Sequence, residues 1–177
     1  MITREMTGQA YHPLAWYPQL ALLSASFEDI RAEAINALEQ MAFVSDERAA
    51  SETWRVLPIK PEPEDVPNVP QSFIDWSRKL APKTVALLDS IPGVIAYAFS
   101  ALAPSAHIAP HRHENPYVTA MLCLKADGEV YIVNGGERKV IVEEETLVFD
   151  YTLTHEVVNN GSVERIVLLV LLENALI

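Results

Sequence analysis

From Gly93 to Leu172 the chain is a succession of short runs rich in β-branched and aromatic residues, broken by Asp127-Gly128, Gly135-Gly136 and Asn160-Gly161. The runs are Val94 to Leu102, Tyr117 to Leu124, Glu129 to Val133, Lys139 to Val142, Leu147 to Phe149 and Arg165 to Leu172. Branched and aromatic side chains suit a pleated, half-buried surface, and glycine-containing pairs suit the turns between strands. Many short strands at even spacing bury their apolar faces by closing on themselves. The expected fold is therefore mainly β, a sandwich or barrel, with a double-stranded β-helix (a double-sheet jelly roll) the foremost expectation.

The segment before Gly93 reads differently. Phe27, Ile30, Ala34, Leu38 and Met41 recur at three- and four-residue steps, which predicts an amphipathic helix over 26–42. Ser26 with Asp29 offers a capping box at its start. Five prolines, at 58, 61, 63, 67 and 70, predict a stiff surface connection over 58–70. Shorter helices are expected at 71–80 and 82–90, the second opened by Pro82 in its first turn. The 177 residues are expected to form a single domain, with helical support over 1–92 packed on one face of a jelly-roll core over 93–172.

Charge and composition narrow the partners. The net charge is −11 and the basic residues do not cluster, so nucleic acid is not an expected partner. The single Cys123 leaves no internal disulfide and fits a reducing, cytoplasmic setting. The N-terminus lacks a charged-then-apolar leader pattern. The longest apolar run, Ile166 to Leu172, is too short for a bilayer and suits a buried strand, so no membrane role is expected. Jelly rolls often pair, and a homodimer is compatible with the sequence.

The chemistry is concentrated in the last third. Pro110-His111-Arg112-His113 is followed by His155-Glu156-Val157-Val158-Asn159 and then by Arg165. Imidazole is well suited to a redox-active divalent metal. On a strand, His111 and His113 share a face and Arg112 points away, so the pair can chelate one ion. Glu114 and Glu156 then alternate to the outer face. Asn159-Asn160-Gly161 can close a hairpin with Gly161 in the left-handed position, pairing Val158 with Ser162 and setting His155 opposite Arg165. A buried arginine needs an anion: either a small carboxylic acid beside the metal, or an internal partner such as Asp150 or Glu164. Asp150 and Tyr151 are candidates to support the site from behind. The three tryptophans, at 16, 54 and 76, are read as core or lid packing.

Several of these stretches together resemble the aspartyl/asparaginyl β-hydroxylase family. They are residues 82–105, Ser105-Ala106-His107-Ile108-Ala109-Pro110-His111, Leu147-Val148-Phe149-Asp150, and His155-Glu156-Val157-Val158-Asn159 with Arg165. Phe27 to Glu33 is also similar to the family's opening helix. The resemblance implies a jelly-roll oxygenase that uses Fe(II), O₂ and 2-oxoglutarate to hydroxylate an unactivated C–H bond. It further implies that His111 and His155 bind iron, and that Arg165 and Ser100 hold the distal carboxylate of 2-oxoglutarate. His107 falls at a family histidine position without a ligand role.

Two departures stand out. Where asparaginyl and aspartyl members have glycine two residues after the first ligand, this chain has His113, which either completes a three-histidine metal set or turns towards substrate. The arginine and histidine that help those members hold the oxo acid are absent from Tyr117 to Leu122. The short chain points to an amino acid, a carrier-bound residue or a small peptide as substrate. Two other readings remain: a three-histidine cupin dioxygenase or isomerase that ignores 2-oxoglutarate, and a metal-free cupin-like binding protein.

Overall fold

A computed structural model describes residues 9–173. Among these, eleven strands form two sheets. They are β1 (Tyr11–His12), β2 (Ala42–Phe43), β3 (Trp54–Lys60), β4 (Val94–Leu102), β5 (Ala106–His111), β6 (Val118–Lys125), β7 (Val130–Asn134), β8 (Glu137–Val140), β9 (Thr146–Asp150), β10 (His155–Asn159) and β11 (Arg165–Leu172). The larger sheet runs β1-β9-β6-β11-β4-β3-β2 and the smaller runs β5-β10-β7-β8. Every pairing is antiparallel. From β4 to β11 the chain passes back and forth between the two sheets, which is the topology of the expected jelly roll.

The helices cover the outer face of the larger sheet. They are α1 (Ala21–Ala25), α2 (Phe27–Ala37), α3 (Gln71–Leu80) and α4 (Pro82–Ser90). Leu23, Phe27, Ile30 and Ala34 pack there against Leu122, Leu168 and other outward residues of β6 and β11. The inner face, with Met121 and Val167, meets Ile108, Ile132 and Val157 of the smaller sheet. Both faces of β6 and β11 are thus covered, which is why these strands are almost continuously apolar. Glu33 of α2 accepts hydrogen bonds from the Lys83 and Thr84 amides at 2.8 and 2.9 Å, capping α4 with a carboxylate. Among the described residues no helix is long and apolar enough to cross a membrane.

Five local expectations need correction. The helix predicted over 26–42 ends at Ala37, passes through a 3-10 turn at Leu38–Gln40 and enters β2. Ser26 sits at its N-cap, but its hydroxyl makes no capping bond. The segment before Gly93 is also not wholly helical, since β1, β2 and β3 extend the larger sheet. Pro58 lies within β3 rather than in a connection. β2 pairs only with Arg55 and Val56, so the missing N–H of Pro58 falls where β3 has a free edge, beside a register shift.

The fifth correction concerns the expected hairpin, which does not form. β10 pairs with β5 and β7, whereas β11 pairs with β4 and β6 in the other sheet. The connection between them crosses the sandwich, and Gly161 does not adopt a positive φ. It is glycine for another reason: a Cβ there would lie 2.1 Å from the Asp127 carbonyl oxygen. The Asn159 side chain locks this crossing. Its Nδ2 donates to the carbonyls of Leu102, Ala103 and Val163 at 2.9–3.1 Å, and its Oδ1 accepts from the Gly161 amide at 3.0 Å. Asn159→Ala strips partners from buried and part-buried backbone groups; at roughly 1–3 kcal/mol for each buried group left unsatisfied, the expected cost is at least about 2 kcal/mol. Urea unfolding should show the loss as a lower midpoint at unchanged slope.

Candidate functional site

The two sheets enclose a cavity of about 370 Å³ that reaches from the histidines to Arg165. His111 ends β5 and lies in register with His155, which begins β10. An irregularity between that pair and Val157↔Ile108 gives β5 one extra residue. Without it, Ile108 and His111 would alternate to opposite faces; the bulge turns both into the cavity. His113 lies beyond the end of β5, so its place beside His111 comes from the following loop and not from strand alternation. Arg112 and Glu114 are exposed, as expected.

The three imidazoles converge, with one ring nitrogen from each lying within 4.8 Å of the others. Ring centroids are 4.3 Å apart for His111 and His155, 5.3 Å for His111 and His113, and 5.6 Å for His113 and His155. His111 Nδ1 donates to the Ala109 carbonyl at 2.8 Å, and His155 Nδ1 donates to the Leu153 carbonyl at 2.9 Å. A carbonyl only accepts, so each Nδ1 carries the proton and each Nε2 keeps a lone pair free for a ligand. The His113 ring stacks flat on Tyr151 with centroids 3.8 Å apart, and the Tyr151 hydroxyl donates to Glu62 at 3.0 Å.

Electrostatics favours the neutral rings. Burial lowers the proton affinity of all three, to about 3 for His113 and about 4 for His155; Arg48 lowers all three further, and neighbouring imidazoles lower His113 and His155. Neutral imidazoles with free Nε2 lone pairs are the donor set a divalent transition metal needs, so the site fits such an ion. A stability consequence follows. A histidine whose folded pKa lies below its ordinary 6.5 gives stability that is complete above that value and lost as pH falls towards the folded one. The metal-free protein should therefore melt at progressively lower temperature from pH 6.5 to pH 4.5 in a calorimetric series. A flat profile would show that the rings are as basic in the fold as in the free chain.

Arg165 begins β11 and is only 2% exposed. Its Nη2 donates to Ser100 Oγ at 3.1 Å, and Trp54 Nε1 donates to the same oxygen at 3.1 Å. Ser100 thus accepts twice and keeps its own proton to give. Among the described residues no carboxylate pairs with Arg165, and its buried Nε has no partner. The internal acids once open as partners are engaged elsewhere: Glu164 with Arg55 at 3.6 Å, and Asp150 with the Thr152 hydroxyl at 2.6 Å. A buried, unpaired guanidinium beside a hydroxyl fits an incoming carboxylate. Although His155 and Arg165 lie on different sheets, they line one cavity, because the sheets face each other.

The structure also settles the minor candidates. His107 is on the outer face, 2.6 Å from Glu156, away from the triad. Tyr151 does support the triad, through its stack on His113. Cys123 is buried, its thiol pushed up to about 11 by burial. Sequence reasoning missed Arg48 entirely and took Trp54 for simple packing. Trp54 alternates with Val56 and Pro58 on the cavity face of β3, a period-two pattern hidden by the prolines.

Comparison with known proteins gives the following. No curated protein matches. Among solved structures, the Cnp3 cupin domain of Schizosaccharomyces pombe is similar with a TM-score of 0.48 at 6% identity, over 78% of this chain and 73% of that one. A predicted oxalate decarboxylase from Thermotoga maritima is similar with a TM-score of 0.47 at 16% identity, over 75% and 90%. A family model for aspartyl/asparaginyl β-hydroxylases matches residues 24–175. The chain thus belongs to the aspartyl/asparaginyl β-hydroxylase family, a family of 2-oxoglutarate-dependent oxygenases.

Proposed function

We propose that this protein is an Fe(II)- and 2-oxoglutarate-dependent dioxygenase that hydroxylates an unactivated C–H bond of an amino acid, a carrier-bound residue or a small peptide. The observation that carries the reading is one cavity holding both a neutral three-imidazole cluster and a buried arginine without a carboxylate partner. His111 and His155 would hold the metal through Nε2, and His113 would be the third ligand. Arg165 and Ser100 would hold the distal carboxylate of 2-oxoglutarate. The iron with its oxo acid supplies the oxidising chemistry when bound.

The chain's own groups do the rest. The Ala109 and Leu153 carbonyls fix two ring tautomers, and Tyr151 holds the third ring in place. Apolar side chains such as Phe149, Met121, Ile132 and Leu169 line the cavity between the metal cluster and Arg165 and keep it dry. Succinate formation from 2-oxoglutarate, with Fe(II) and O₂, tests the reading: turnover supports it, and its complete absence with iron bound counts against it.

The three-histidine set favours one second reading, a cupin dioxygenase or isomerase that ignores 2-oxoglutarate. Such an enzyme has no use for an unpaired buried arginine. Full activity in an Arg165→Met variant would favour it.

A further inference from the structure

A second cation faces the same cavity. Arg48 lies in the segment between β2 and β3, well before the metal-site residues in sequence, yet its backbone is fixed to theirs. The Ala109 amide donates to the Arg48 carbonyl at 2.7 Å, two residues before His111. Asp46 grips the guanidinium from one side, accepting from Nε at 2.9 Å and from Nη2 at 2.6 Å. The guanidinium lies over the Trp54 ring, 5.3 Å from its centroid. Trp54 in turn donates to Ser100, so Arg48 is joined to the Arg165 end of the cavity as well.

This fork is half used. Asp46 occupies the Nε and Nη2 edge, while Nη1 makes no hydrogen bond among the described residues, and Arg48 lines the cavity. Held by a carboxylate, an aromatic face and a backbone bond, the free edge is preorganised for a second carboxylate. Beyond His113 the cavity lining carries two carboxylates, Glu62 and Asp65, and one further cation, Lys60, whose ammonium donates to the Val94 carbonyl at 2.9 Å. Glu62 accepts from Tyr151 and Asn115, and Asp65 lines the same rim. Arg48 is thus tied to the triad through the strand that carries His111, and Glu62 through Tyr151, which stacks on His113.

From this we infer that the substrate is a free α-amino acid, with its carboxylate on the open edge of Arg48 and its ammonium group towards Glu62 and Asp65. The inference rests on the oxygenase reading above and narrows its substrate class. Interior peptide residues and carrier-bound residues lack the free carboxylate, a C-terminal peptide residue lacks the free ammonium group, and all are excluded by it.

The test is thermal shift of the Mn(II)-loaded protein with 2-oxoglutarate present, probed with the proteinogenic L-amino acids and with their carboxamides. At least one free acid should raise the melting temperature dose-dependently, and its carboxamide should need at least about tenfold more, as for a lost charge-assisted hydrogen bond. Arg48→Gln should weaken that acid by about tenfold or more, and Arg48→Lys, which keeps charge but loses the fork, by less. Both variants should keep the full shift given by 2-oxoglutarate alone, which also shows that they fold. Equal binding of acids and carboxamides overturns the inference. So does unchanged binding in Arg48→Gln, loss of the 2-oxoglutarate shift in that variant, or no response to any free acid. No shift with 2-oxoglutarate in the parent protein overturns the oxygenase reading itself, whereas failure of the amino acids alone overturns only this step.

Discussion

Replacing Arg165 with methionine should abolish 2-oxoglutarate-dependent turnover and raise the stability of the metal-free protein. The two effects have one cause. Arg165 is almost wholly buried, burial lowers its basicity, and its only hydrogen-bond partner among the described residues is the neutral Ser100. A buried charge without an ion partner is costly, and exchanging such groups for apolar ones of similar volume stabilises by about 1–4 kcal/mol. For a chain of 177 residues that is a rise in melting temperature of roughly 2–4 °C per kcal/mol. The cost makes sense only if an anion arrives to offset it. 2-Oxoglutarate should therefore stabilise the parent protein and leave Arg165→Met unaffected. A variant that melts lower than the parent, or that still responds to 2-oxoglutarate, would show that Arg165 serves the fold and not a ligand.

His155→Ala should remove metal binding. Groups that merely orient a metal ligand are worth about 10- to 100-fold in affinity, so loss of a ligand itself should exceed about 100-fold. His155 is the most constrained of the three: it is 6% exposed, paired in register with His111, and held by the Leu153 carbonyl. Its replacement cannot be covered by a neighbouring side chain. Metal analysis after dialysis should find the parent loaded near one equivalent and the variant empty. His113→Ala should lose less, because among the described residues no carbonyl fixes its ring tautomer as those of Ala109 and Leu153 fix the other two. Metal retained at parental affinity in His155→Ala would place the ion elsewhere.

The strands of the roll were legible because their residues obey one local rule. Val94–Leu102 and Arg165–Leu172 form over the expected ranges, and so do both short helices after residue 70. The family motifs carried His111, His155, Ser100 and Arg165 to one cavity. What sequence alone could not supply was long-range pairing. A hairpin at Asn160-Gly161 satisfies every local preference, but the loop instead crosses between sheets because Asn159 and Asp127 hold it there. β3 was hidden by Pro58, whose missing N–H matters only where a neighbouring strand needs it. Arg48 was invisible for the same reason: its role depends on a contact with Ala109 that no local pattern encodes.

The central claim is that three imidazoles from two strands and a loop hold one ion, with a carboxylate held behind it by Arg165. The most direct measurement is anomalous diffraction from crystals grown without oxygen in Fe(II) and 2-oxoglutarate. The account predicts a single metal peak about 2.1 Å from Nε2 of His111 and His155 and from a ring nitrogen of His113, with the oxo acid reaching from the metal to Arg165. A peak away from these rings, or an oxo acid bound with Arg165 untouched, would contradict it.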